Sequence, residues 1–455
     1  MADLCIKNCT LVTPEEMHSC DITVEKGMVS GLHRMYTGHA ATEIDAQGDL
    51  VMPGMIDAHT HMELSGYGTV SCDDFHAGTA AAIHGGVTTI IDFTCQTRGK
   101  SVMDSVRERM ALAQSKVLID YSLHAGVTEF TDAVQEEIPE VVGFGIPSFK
   151  IFTIYPAMMM TDGEILSMLE AATVNNAMCM FHCENSSVVD ELTRRLVSRG
   201  HLGAYAHPQS RPDFCEAEAV SRIATLAGAV GASAYIVHLS SAAGLAAVRK
   251  AQCDGVNLLC ETCPQYLVLD DTIFNREDGH RYLCSPPMRT REDSVRLWEG
   301  LSEGSISVVA TDHCPFTSAQ KDPFANDFRT VPMGLPGIET LLPLVFTEGI
   351  GGGYLDACEV VSMLSTMPAR IFGLYPRKGH LNPGADADII IVDHSKTRVI
   401  SHENLHMGAD YSPYAGKELT GFPRVVISRG EVVMKDGVIL GKPGRGKFIR
   451  RKLEF

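Results

Sequence analysis

Residues 51–64, VMPGMIDAHTHMEL, open with an apolar run and deliver His59 and His61 where the pattern turns polar. The run carries Pro53 and Gly54 and reads as a short buried strand. Residues two apart on a strand share a face, so both imidazoles would point the same way from its C-terminal end. Such a pair can hold one metal ion, although a His-x-His alone is more often just the polar end of a strand. What decides between these readings is whether later apolar segments end on residues that complete the same site.

Working outward, residues 51–375 alternate strand-like and helix-like patterns, which argues for βα units and a parallel sheet. After the first segment come Gly86 to Phe93, Val117 to Val127, Ser148 to Phe152, Ala177 to His182, Ala234 to His238, Val256 to Cys260 and Ile306 to Thr311. Helices are expected between them, around Met103 to Ser115, after the capping spacing of Thr161 and Glu164, and over Cys215 to Gly231 and Ala242 to Cys253. Eight strands suffice to close a (β/α)8 barrel of the TIM type. Short strands and turns fill residues 1–50 and return in 376–455, where Lys435-Asp436-Gly437 marks a hairpin. The expected organisation is therefore a catalytic barrel, 51–375, and one small β domain built from both termini, 1–50 and 376–455 with a C-terminal tail.

The chain has 455 residues, 45% hydrophobic and 21% charged, enough for a barrel and a smaller module. A formal net charge of −18 would repel nucleic-acid backbone and anionic membrane alike, so neither is an expected partner. The basic tail Arg445, Lys447, Arg450, Arg451, Lys452 reads as a subunit contact or a solvated end. No secretory signal pattern opens the chain and no stretch approaches ~18 continuous apolar residues, so a cytoplasmic protein is expected. Fourteen cysteines without framework spacing read as reduced thiols.

In such a barrel the chemistry sits at the C-terminal ends of the strands. His59, His61, Lys150, His182, His238 and Asp312 all lie where these segments end or within them. A lone histidine there is more often a satisfied rim residue, and Asp312 could cap a helix, but the joint placement points to a metal centre. Lys150, inside Phe149-Lys150-Ile151-Phe152, would be costly to bury as an ammonium. A neutral amine can capture carbon dioxide as a carbamate, an anion able to bridge two cations. Nitrogen and oxygen ligands without thiolate suit two divalent ions, zinc or manganese. Cys183 and Cys314, each beside a candidate ligand or its neighbour, read as packing residues.

These motifs carry a resemblance over nearly the whole chain: PGMIDAHTH (53–61), SCDDFHAGT (71–79), SFKIF (148–152), HCEN (182–185), YIVHLSS (235–241), ETCPQYL (261–267), CSPPMR (284–289), ATDHCPF (310–316) and ADYSPYAG (409–416). The chain resembles the cyclic amidohydrolases of the dihydropyrimidinase and hydantoinase branch, in particular bacterial phenylhydantoinase-like members. The resemblance implies a barrel with a terminal β-sandwich, a homotetramer, and a small cyclic amide as substrate. It implies two ions, one held by His59, His61, Lys150 and Asp312, the other by Lys150, His182 and His238, with Lys150 present as N6-carboxylysine. It further implies that Tyr155 hydrogen-bonds the oxyanion, that Ser285 holds the ring amide and that Asp312 shuttles the proton. The expected reaction is attack of a metal-bridging hydroxide on a dihydropyrimidine or 5-substituted hydantoin, giving an N-carbamoyl amino acid.

One departure stands out, since Met333 occupies a place in the loop Val331 to Gly337 where the family usually has Asn. The loop Ile154 to Met160 is also rich in methionine, either as a flexible gate for a bulky ring substituent or as plain lid packing. Three other readings rank lower. Allantoinases use a similar metal set but lack a tyrosine at the place of Tyr155. Dihydroorotases carry an arginine soon after the His-x-His pair, where this chain has Met62-Glu63-Leu64. Non-catalytic scaffold relatives lose ligands, whereas all six candidates are present here.

Overall fold

The computed structural model describes residues 1–454. Eight parallel strands run in the order of the chain, Met55–Thr60, Val87–Phe93, Asp120–Gly126, Ser148–Phe152, Met178–His182, Ala234–Ile236, Leu258–Thr262 and Val308–Val309. The first and last are joined by a parallel bridge between Thr60 and His313 and by the His61 amide donating to the His313 carbonyl at 2.9 Å. Asp57, fully buried on the first strand, takes the Thr311 amide at 3.1 Å and the Thr311 hydroxyl at 2.5 Å. Hydrogen bonds to a charged group are worth about 1.5–3 kcal/mol each, so this carboxylate helps hold the seam. Several helices that cover the barrel begin on side-chain caps, among them the reciprocal Thr161–Glu164 box ahead of Asp162–Val174, although the longest, Asp213–Val230, starts at Pro212 without one.

The stretch 51–64 is not one strand. Leu50–Pro53 pairs antiparallel with Ile389–Asp393 and parallel with Ala2–Val12, in a nine-stranded sheet assembled from both ends of the chain. Residues 51–53 therefore pair with the terminal sheet, and the barrel begins at Met55. Gly54 makes the crossing, where a side chain would meet Thr88 Oγ1 at 2.2 Å. Strand alternation explains how one sheet serves two cores. Val51, Ile389, Ile391, Val425 and Ile427 bury into the terminal domain, while Leu50, Met52, Ile390, Val392 and Val426 bury against the barrel side.

The basic tail is not a wholly solvated end. Ile449 and Leu453 pack into the cluster that fills the barrel interior with Ile56, Ala58, Ile91, Met180 and Tyr235. Arg451, 3% exposed, donates to the hydroxyls of Ser122 and Ser148 at 2.8 Å and to the carbonyls of Leu123 and Phe372. Burial without a carboxylate partner lowers its pKa to about 9. Arg445 likewise bonds the Leu118 and Ser428 carbonyls, whereas Lys447, Arg450 and Lys452 stay exposed. The tail thus closes the N-terminal mouth of the barrel and leaves the opposite mouth for chemistry.

Candidate active site

His59 is the penultimate residue of the first barrel strand, and a register irregularity between Asp57 and Thr60 re-aims it. His61 lies one residue beyond the strand end, so shared strand alternation does not explain the pair. Their Nε2 atoms nevertheless converge on Asp312 Oδ1, at 3.2 Å from His59 and 3.1 Å from His61. Asp312 follows the last strand with φ of 52° and caps no helix; His238 (41°) and Tyr155 (73°) are left-handed as well. Non-glycine residues held there cost of order 1–3 kcal/mol each, a cost that surrounding structure must offset.

A second pair faces the first. His182 ends the fifth strand, His238 follows the sixth, and His182 Nδ1 lies 3.0 Å from His238 Nε2. The His59 and His238 rings are 5.4 Å apart, which brings both pairs to one mouth. Lys150, 2% exposed, comes up from the fourth strand with Nζ over the Phe93 ring at 5.1 Å, and Phe93 in turn packs on His59 at 4.5 Å. Burial lowers its pKa to about 8.

The electrostatics of this mouth suit cations. Burial pulls His61 and His182 below the ordinary histidine value, and burial with the neighbouring His182 pushes His238 far below it, which favours neutral imidazoles, the form that can ligate a metal. Burial opposes charge on His59 too, but Glu261 and Asp312 outweigh it and lift its pKa to about 9. The same two carboxylates that favour a proton on this ring favour a metal bound to it. Burial alone would raise Asp312, yet His59 and His61 hold it well below the carboxylate range. His59 Nε2 is buried and, although Asp312 Oδ1 stands 3.2 Å away, makes no well-aligned hydrogen bond among the described residues, as expected of a nitrogen meant for a ligand. The donor set therefore fits divalent metal.

Two other groupings of potential ligands do not fit as well. His84 and His406 stack with ring centroids 3.4 Å apart and planes 2° from parallel beside Glu339, so their lone pairs run alongside each other rather than converging. Asp120, Asp386 and Asp388 already enclose the ammonium of Lys378, at 2.9, 3.2 and 2.5 Å.

Several residues inside the recognised motifs had no role assigned from sequence. Glu261, fully buried, holds His59 Nδ1 and takes the Tyr235 hydroxyl at 3.0 Å. Glu184 holds His182 Nε2 at 2.7 Å. Carboxylates on the outer nitrogens fix each ring so that the other nitrogen faces the site. His313, next to Asp312, is clamped between Asp73 Oδ2 at 2.9 Å and the amide of Gly337 at 3.2 Å. Their only sequence signal was charge at the ends of apolar strands.

On the far side of the mouth, Tyr155 lies 5.5 Å from the His182 ring. Ser285 donates to Met333 Sδ at 2.9 Å, so the thioether accepts a hydrogen bond where an amide side chain would offer both donor and acceptor. Gly334, φ 144°, fixes the loop after Met333, since a side chain there would strike the Cys314 carbonyl at 2.3 Å. Met158 and Met159 are half-buried and Met160 is buried. Cys183 and Cys314 are buried thiols whose pKa values burial raises, as packing residues require.

Comparison with known proteins agrees with this geometry. A model of the Amidohydrolase family matches residues 50–433. The D-hydantoinase of Geobacillus stearothermophilus is 39% identical over 451 residues, 98% of this chain and 96% of that protein. The D-phenylhydantoinase of Escherichia coli (strain SE11) is 40% identical over 451 residues, 98% of each. The crystal structure of dihydropyrimidinase from Brevibacillus agri NCHU1002 superposes with a TM-score of 0.97 at 36% identity, covering 98% of both chains.

Proposed function

This chain belongs to the amidohydrolase family, and from that premise we propose that it hydrolyses the carbon–nitrogen bond of a cyclic amide, a dihydropyrimidine or a 5-substituted hydantoin, to the N-carbamoyl amino acid. The observation that supports the reading is that His59, His61 and Asp312 meet at one mouth with the His182–His238 pair, while the buried amine of Lys150 lies over Phe93 and Phe152, the rings that pack on His59 and His182. His59, His61 and Asp312 would hold one divalent ion and His182 and His238 the other, with Lys150 as its carbamate shared between them. When bound, the pair supplies a strong nucleophile from water at neutral pH and polarises the scissile carbonyl. Zinc is the proposed metal, manganese the alternative.

The protein's own groups do the rest. Asp312, kept ionised by its two histidines, accepts the proton of the attacking water as the C–O bond forms and returns it to the ring nitrogen as the C–N bond breaks. Tyr155 donates its hydroxyl to the oxyanion. Ser285 and the Met333–Gly334 backbone hold the ring amide, and the loop through Met158 and Met159 borders the ring substituent. The Tyr155 hydroxyl beside the site supports this reading over an allantoinase. Among the described residues no helix is long and apolar enough to cross a membrane; a cytoplasmic homotetramer completes the proposal, testable by light scattering.

The decisive experiment replaces Lys150 by Ala and follows metal content together with ring opening of dihydrouracil, 5-phenylhydantoin, 5-methylhydantoin and allantoin. Both metal content and activity should be lost together. A Lys150→Ala protein that keeps two ions and full turnover contradicts the carbamate, and a wild type that opens only allantoin contradicts the substrate class.

A further inference from the structure

Among the described residues, Arg211 is the one buried cation in contact with both Tyr155 and Ser285, the polar side chains proposed to meet substrate. It sits between the short helix Ala206–Ser210 and the long helix Asp213–Val230, with its side chain 7% exposed. Nη1 donates to Ser285 Oγ and lies 3.5 Å from Tyr155 Oη, while the guanidinium carbon stands 5.9 Å from the Tyr155 ring centroid. On its other edge Nε faces Glu184 Oε1 at 3.4 Å, and Glu184 Oε2 holds His182. The Arg211 carbonyl is itself pinned, accepting from Arg289 Nη1 at 2.5 Å. Nothing in the sequence marked this residue beyond its position before Pro212.

A guanidinium has five N–H donors and no acceptor. Any hydroxyl that contacts it must turn a lone pair toward it and its own proton away. Ser285 follows this rule: it accepts from Arg211 and donates to Met333. At Tyr155 the same constraint would aim the phenolic proton out of the Arg211 side and toward the mouth occupied by His182. We infer that Arg211 is a positioning residue, anchored by Glu184, that fixes the direction of the Tyr155 hydroxyl so that it is a donor to the oxyanion before substrate arrives. Preorganised donors are worth most because no reorganisation is needed when charge develops. The inference rests on the proposed oxyanion role of Tyr155.

A double-mutant cycle of Arg211→Lys and Tyr155→Phe tests it on 5-phenylhydantoin, with zinc content measured on every variant. Arg211→Lys keeps the charge that buried Glu184 needs, so the protein stays folded, but replaces the planar fork by a point donor unable to serve Tyr155, Ser285 and Glu184 together. Because an oxyanion forms only in the transition state, kcat should fall about tenfold with KM within about twofold and two ions retained. Tyr155→Phe should lose about 100-fold, the scale of one oxyanion donor. The double variant should be within about twofold of Tyr155→Phe, since Arg211 then has no hydroxyl left to aim. Multiplied losses, or loss of metal in Arg211→Lys, would overturn the inference while leaving the role of Tyr155 intact. Full kcat in Tyr155→Phe would instead remove that role, and the inference with it.

Discussion

Glu261 offers a test of the metal centre that spares every ligand. Its Oε1 holds His59 Nδ1 and the His238 amide at 3.3 Å, and its Oε2 takes the Tyr235 hydroxyl. In Glu261→Gln the amide oxygen can keep the first two donors, and the new NH2 can face Tyr235, whose hydroxyl turns to accept. The hydrogen bonds survive and the charge does not. In Glu261→Ala the ring loses its anchor as well. Outer carboxylates of this kind contribute about 10–100-fold to metal affinity, equivalent to about 1.4–2.7 kcal/mol. Glutamine should sit near the tenfold end and alanine near the hundredfold end. Zinc affinity from chelator competition, with ions per chain counted after dialysis, is the assay, and the loss should fall on the ion assigned to His59, His61 and Asp312. Wild-type affinity in both variants, or a loss confined to the His182–His238 ion, would refute the assignment of Glu261 as the group that orients His59.

Lys378→Met should destabilise the protein by about 3–5 kcal/mol, because it strands carboxylates that the ammonium now neutralises in the interior. Asp120 would retain Arg429 at 3.0 Å and Asp386 would retain Arg377 at 2.8 Å, whereas Asp388 would be left with only the Arg429 backbone amide at 2.7 Å. An unchanged thermal midpoint would contradict this. A pH-dependent contribution is expected at His406, where the hydrogen bond to Glu339 raises the folded pKa above 6.5. The folded chain then binds that proton more tightly than the unfolded one, so the stabilisation is fully present below pH 6.5 and is lost as pH rises through the raised value. The ring is 46% exposed, so the effect should stay below about 1 kcal/mol. Comparing midpoints of wild type and Glu339→Gln at pH 5.5 and 8.5 checks it; equal differences at both pH values would exclude it.

The barrel and the six candidate ligands were legible in the sequence because both are written in short-range patterns. A strand of four to seven residues announces itself by its own composition, and Ser148–Phe152 and Ala242–Cys253 run as their spacing predicts. Candidate ligands at strand ends inherit that legibility. Even there, the reason His59 and His61 converge was not the shared face of a strand, but a local irregularity and a loop.

What only the tertiary structure decided involves partners far apart in the chain. Leu50–Pro53 and Met55–Thr60 form one apolar run, yet belong to different sheets, because Ile389–Asp393 and Val87–Phe93 pair with them. The tail looked like a charged end until the floor of the barrel supplied hydroxyls and carbonyls for Arg451. Glu261 and His59 meet across 202 residues, and Arg211 reaches Ser285 across 74. Local periodicity determines which face of an element is apolar, and so which residues can line a mouth. Which buried charge is neutralised by which partner depends on distances that no local pattern encodes, and those pairings orient the groups on which the chemistry rests.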